Sequence, residues 1–246
     1  MNRPPAPSVR HDRLDALRGA AVVWMVAFHF AFDLNHFKFI HQNFYRDPFW
    51  TGQRTVIVCT FLFCAGFAQA VAMAQGQRWP RFWRRWAQIA ACALLVTVGS
   101  WFIFRHSFIT FGVLHGIAVM LIIVRLTASA GRLLWPLGLA AVLLPHFVQH
   151  PVFDGRALNW LGLVTHKPIT EDYVPLFPWL GVMWWGMAAG QWVQAHRPAW
   201  LRGAVGWPGR GLALVGRWSL TVYMVHQPLF FAILAGVVAL QRAIAS

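Results

Sequence analysis

Arg18, His29 and Asp33 lie inside or at the edge of LDALRGAAVVWMVAFHFAFDLN, a run that is otherwise almost wholly apolar. At about 100° per residue, the step from Arg18 to His29 makes three helical turns with about 20° left over, and Asp33 is one turn further on. All three share a face. An ionisable group at mid-membrane costs about 2.5 to 3.5 kcal/mol even on a lenient insertion scale, so such a face turns toward the protein interior and marks a pathway or a site. The same step rises about 16 Å, which puts Arg18 near one surface of the apolar layer and His29 past its centre. Asp33 is spaced to orient the imidazole and stabilise its protonated form, the arrangement of a general base. His29 and Asp33 are therefore the catalytic candidates; the alternative is that they only serve as packing polar groups.

Two more histidines lie within other apolar runs, His115 in FGVLHG and His226 in YMVHQP, each as readily structural as functional. Arg81, Arg84 and Arg85 in WPRFWRRW open a further run. Their plain reading is a topology signal with snorkelling to lipid phosphates. The functional one is a guanidinium clamp on a phosphorylated ligand, because Arg meets phosphate oxygens two at a time. Arg18 faces the same compartment, so Arg18, Arg81, Arg84 and Arg85 are the binding candidates.

Helices must hold these groups. The chain has 246 residues, is 58% hydrophobic, and sets 15 Trp and 20 Phe against seven Asp and Glu, the balance of an integral membrane protein. Its formal charge of +14 comes with no basic amphipathic face and no nucleic-acid motif, so topology explains it and no nucleic-acid partner is expected. Cys59, Cys64 and Cys92 sit in apolar runs without metal-ligand or disulfide spacing, and no metal is expected. The first apolar run begins after Arg13 with no cleavage site, which reads as a retained span rather than a signal peptide.

At about 20 apolar residues per crossing, about seven spans follow: 14–34, 53–75, 83–104, 108–126, 133–149, 174–194 and 217–240. The expected fold is all-α, a polytopic transmembrane helical bundle, with 1–13 as a cytoplasmic tail and 14–242 as one domain. Pro136 and Pro145 interrupt the fifth span, and GAVGWPGRGLALVG has room for a short interfacial helix. With the N-terminus inside, two thirds of the Lys and Arg fall in inner segments and most acids lie at or toward the outer side, which sets the orientation. The outer segments NHFKFIHQNFYRDPFW and HPVFDGRALNWLGLVTHKPITEDY mix aromatic and polar groups, as interfacial anchors or an acceptor-binding surface. The first of them supplies His36, His41 and Asp47 as further candidates.

RLDALRGAAVVWMVAFH with Arg18 and His29, RFWRR with Arg81 and Arg84, and LVGRWSLTVYMVHQPLFF with Tyr223 and His226 resemble the first helix, cytoplasmic Arg-x-x-Arg signature and late helix of the transmembrane acyltransferase superfamily. More narrowly, FHFAFDLNHF, ITFGVLHGIAV and YVPLFPWLGVMWWG resemble bacterial relatives of the heparan-alpha-glucosaminide N-acetyltransferase catalytic domain, from about residue 11 to residue 232. The resemblance implies acetyl-CoA or another acyl-CoA as cosubstrate on the cytoplasmic side, its phosphates held by Arg18, Arg81 and Arg84. It implies that His29 deprotonates the acceptor or carries the acyl group, and that the acceptor is an extracytoplasmic amine or hydroxyl of sugar or glycan type. It further implies a multi-pass protein of the bacterial inner membrane, in contact with the bilayer, with a homo-oligomer left open. The lysosomal member has its reactive His where RDPFW here has Asp47, with His41 further upstream.

Apart from the resemblance, a transporter or proton relay using His29 and Asp33 stays open, as does a haem-binding carrier with histidine ligands. A retinal protein does not, because both lysines, Lys38 and Lys167, fall in outer loops.

Overall fold

The computed structural model describes residues 11–245, so most of the tail expected at 1–13, with Arg3 and Arg10, lies outside the described residues. Regular structure among the described residues is helical: α1 (Asp12–His36), α2 (Pro48–Ala74), α3 (Trp79–Ile103), α4 (Val113–Leu126), α5 (Leu134–Phe147), α6 (Trp179–His196), α7 (Pro198–Arg202), α8 (Trp207–Arg217) and α9 (Ser219–Ala245), with short 3₁₀ turns between some of them. A single isolated bridge joins Phe111 to Tyr173. Helices α1, α2, α3 and α9, together with the stretch Ala128–Phe147 that contains α5, are long and apolar enough to cross a membrane, and α4 is a shorter apolar helix. With α6, they occupy the seven expected spans.

The differences from expectation lie at helix ends and have local causes. α2 starts five residues early because Asp47 caps it: its Oδ1 accepts the Phe49 N–H at 2.9 Å, and Pro48 fills the first helical position, where a missing N–H costs nothing. α4 starts late because two side chains satisfy its first amides: Asp172 Oδ2 accepts the Val113 N–H at 2.7 Å, and His115 Nδ1 accepts the Gly112 N–H at 3.2 Å. The fifth span is not broken at its prolines, which fall in the first and last turns of α5. The break comes before it, at Gly131 with φ 54°, a left-handed conformation that suits glycine. The short interfacial helix is α8.

By contacts the described chain divides into two units, residues 11–14 with 62–204, and residues 15–61 with 205–245. In the first, α5 and α6 pack through small residues: a Cβ on Gly181 would strike the Gly138 carbonyl oxygen, and one on Gly138 the Trp185 indole. Close backbone approach of this kind is how helices associate where lipid removes the hydrophobic drive between them. In the second, α1 and α8 touch backbone to backbone, a Cβ on Gly19 striking the Leu212 carbonyl and one on Gly216 the Asp15 carbonyl. Its core is Met25, Phe28, Phe44 and Ile57, with Phe32, Trp50, Phe61 and Tyr223 packed against it. Phe44 comes from the first outer segment and stacks on Trp50 at 4.1 Å, which ties that loop down beside α1.

Candidate active site

His29 lies two thirds of the way along α1 and faces α9. Its Nδ1 is 2.7 Å from His226 Nε2, and the two rings are nearly parallel, 8° apart. The direction of that hydrogen bond follows from its far end. His226 Nδ1 lies 2.8 Å from the Tyr223 carbonyl oxygen and 3.1 Å from that of Val222. Carbonyl oxygens only accept, so Nδ1 of His226 carries a hydrogen. In a neutral ring its Nε2 then holds a lone pair, and the hydrogen between the rings belongs to His29 Nδ1. Nε2 of His29 then carries the lone pair, the form a base or nucleophile needs. His226 is 6% exposed, whereas His29 is only partly buried.

Asp33 does not orient His29. It is completely buried, and its Oδ1 accepts the Gln227 Nε2–H at 2.7 Å, so the orienting bond expected from Asp33 comes instead from His226. The physical reason is the next helix: α9 presents His226 and Gln227 in succession, and each takes one polar group of α1. Arg18 gives its Nη1–H to Asp15 Oδ1 at 3.2 Å, and Arg217 Nε lies 3.8 Å from Asp15 Oδ2, so one carboxylate serves two guanidinium groups. Tyr223 contributes its carbonyl to His226, and its ring meets the His226 ring edge to face at 5.9 Å. His36 meets Phe37 edge to face and Phe231 at a tilt at the end of α1. His41 is exposed in the loop that follows, and Asp47 is the cap of α2.

In the other unit, Arg81, Arg84 and Arg85 are all exposed in the first turns of α3, among Trp79, Trp83 and Trp86. Arg85 donates to Gln88 Oε1 at 3.1 Å. His115 has both ring nitrogens engaged: Nδ1 accepts from Gly112, which leaves the hydrogen on Nε2 for Thr97 Oγ1 at 3.1 Å, and Thr97 in turn donates to the Ile109 carbonyl at 2.8 Å. That ring fastens a turn. Arg125 is buried against the Trp79 and Phe82 rings, 4.4 and 4.7 Å from their centroids, and donates to the Gln77 side chain and carbonyl.

Residues 10–228 match the catalytic family of heparan-alpha-glucosaminide N-acetyltransferase. The chain belongs to that family. No curated protein and no solved structure gives a match. Membership in the heparan-alpha-glucosaminide N-acetyltransferase family makes this a multi-pass membrane protein of an acetyltransferase kind, and the matched stretch takes in His29, Asp33, His226 and Gln227 together.

Two site residues escaped the sequence reading. Gln227 is uncharged and so did not stand out in an apolar run, although an amide there is as hard to bury unpaired as a histidine. Asp15, three residues before Arg18, was legible as an ion-pair partner at helical spacing. The loop between α5 and α6 is held by its own polar set. Asp154 accepts from the Thr165 hydroxyl and amide, bonds that keep its carboxyl below the usual range. Tyr173 donates to the Asn159 carbonyl at 2.6 Å, and burial, with the charge of Asp154 second, pushes its phenol up to about 12.

Proposed function

We propose that the chain is an acyl-CoA-dependent acyltransferase of the bacterial inner membrane, its N-terminus cytoplasmic, which moves an acetyl group from cytosolic acetyl-CoA to an amine or hydroxyl of an extracytoplasmic sugar or glycan. The observation that carries this reading is the directed hydrogen-bond chain from the α9 carbonyls through His226 to His29, which keeps a lone pair on His29 Nε2. A membrane acetyltransferase needs one unprotonated base or nucleophile within its spans, and the family membership supplies the reaction class.

In direct transfer, the acceptor nitrogen or oxygen bonds to the thioester carbonyl carbon while Nε2 takes its proton. The carbon–sulfur bond then breaks, and the CoA thiolate leaves with that proton. In the covalent route, Nε2 itself attacks the same carbon and the carbon–sulfur bond breaks to release the thiolate; the acceptor then bonds to that carbon as the Nε2–carbon bond breaks, and its proton passes to the freed Nε2 and on to the thiolate. Either way His29 becomes cationic for a moment. Its Nδ1–H···Nε2 bond shares that charge with His226, whose Nδ1–H rests on two carbonyl oxygens that favour a cation. Arg18, Arg81, Arg84 and Arg85 are assigned to the phosphates of the CoA moiety. The exposure of the three on α3 supports that assignment, and Arg18 would have to share itself with Asp15.

The test is acetyl transfer from labelled acetyl-CoA to amino sugars by the purified protein in detergent. His29→Ala should leave the thermal midpoint near that of the wild type and remove transfer. Full activity in that variant would take His29 out of the mechanism.

A further inference from the structure

Asp33 is wholly buried, with Oδ1 accepting the Gln227 Nε2–H at 2.7 Å. Its other oxygen, Oδ2, and Gln227 Oε1 are also buried, and neither meets a hydrogen-bond donor. As a carboxylate beside an amide, the pair would hold a full charge out of water and leave two acceptors empty, the most costly form of burial. Exchanging the nitrogen and oxygen of Gln227 gives no relief, because two oxygens would then stand 2.7 Å apart with no hydrogen between them. Arg18 and Arg217, guanidinium groups of this unit, form ion pairs with Asp15. The imidazoles one turn away are bonded to each other.

One proton resolves every part of this. We infer that Asp33 is held as a neutral carboxylic acid whose Oδ2–H donates to Gln227 Oε1, closing a two-bond acid–amide ring with the Gln227 Nε2–H···Oδ1 bond. The ring joins α1 to α9 one turn beyond His29 and one residue beyond His226. It therefore fixes the separation on which the His29–His226 bond depends, and it makes Asp33 a positioning residue rather than a counter-charge for an imidazolium. This rests on the proposed acyl transfer only through its activity readout; the proton itself is read independently.

The variant that separates the two states is Asp33→Asn. An asparagine puts an N–H where the acid has its O–H and a carbonyl where it has Oδ1, so both bonds of the ring survive. Asp33→Leu and Gln227→Leu remove them. Isotope-edited infrared spectra with carboxyl-labelled aspartate, taken at neutral pH on wild type and Asp33→Asn in detergent, should differ by a protonated-carboxyl carbonyl stretch. Asp33→Asn should keep kcat within about threefold, whereas each leucine variant should lose about tenfold or more, the size of a disturbed positioning contact. A carboxylate band in the difference spectrum would overturn the assignment whatever the activity. An acid band with tenfold or greater loss in Asp33→Asn at unchanged thermal midpoint would overturn the positioning role, since the ring would be present and insufficient. If the leucine variants do not fold, the spectrum and the Asp33→Asn rate decide alone. A wild type that transfers no acyl group from acyl-CoA would sink the proposed function and leave the infrared result to decide the proton.

Discussion

Deleting the His226 ring should disable His29 without touching it. In His226→Ala the His29 Nδ1–H loses the acceptor now 2.7 Å away, and nothing then selects the tautomer with a free Nε2. Tautomer mixing by itself costs a factor near two, since two neutral forms of similar energy share the population. Orientation costs more: a reacting group misplaced by about 1 Å loses about 10²-fold. Together these predict a fall in kcat of about 10²- to 10³-fold, or about 2.7 to 4 kcal/mol of transition-state stabilisation. KM for acyl-CoA should hardly move, because the hydrogen bonds of His226 go to His29 and to its own helix backbone. The unpaired N–H should also lower stability by about 1–3 kcal/mol. His226→Gln separates the two effects: its Oε1 can accept the same hydrogen but cannot share a positive charge, so it should recover part of the rate. Steady-state transfer, with kcat and KM resolved separately, and the thermal midpoint in detergent measure all of this. Wild-type kcat in His226→Ala, or a loss confined to KM, would refute the tautomer argument.

Other parts of the structure give their own tests. Arg81→Ala and Arg84→Ala should each raise KM for acyl-CoA, by about tenfold at low salt and less at high salt, with kcat intact; an unchanged KM would return these residues to topology alone. Gly216→Ala should lower the thermal midpoint through about 1–3 kcal/mol of overpacking against the Asp15 carbonyl, and an unshifted midpoint would mean that α8 moves freely off α1. In the α5–α6 loop, Tyr173 keeps its proton to about 12 when folded and loses it near 10 when unfolded. The folded loop thus binds more protons across that window, and its stability falls as pH rises through it. Asp154 has the opposite sign: its depressed pKa adds stability that is present at neutral pH and lost as pH falls below about 4. Limited proteolysis of the loop against pH should show both edges, with the acid edge removed in Asp154→Asn.

Hydropathy made the spans legible because each apolar run has to be long enough to satisfy a bilayer, and that length survives in any helix arrangement. It missed the ends because caps are set by single contacts such as Asp47 to Phe49, or Asp172 to Val113 across 59 positions. Spacing placed Arg18, His29 and Asp33 on one face, since helical periodicity is a local property. It did not say which residues that face would meet. His226 and Gln227 are nearly two hundred positions away, and only tertiary packing brings them to α1. Hence the most natural local partner, Asp33, was assigned to His29 when a more distant ring holds it. His115 shows the reverse: Gly112 and His115 have the spacing of a helix cap, so its structural use was readable from neighbours alone.

The His29–His226 chain ends on carbonyl oxygens of a helix, and those cannot pass a proton on. A hydrogen ion taken up at His29 can therefore be shared with His226 but not relayed onward through its Nδ1, so the far imidazole spreads a charge without conducting it.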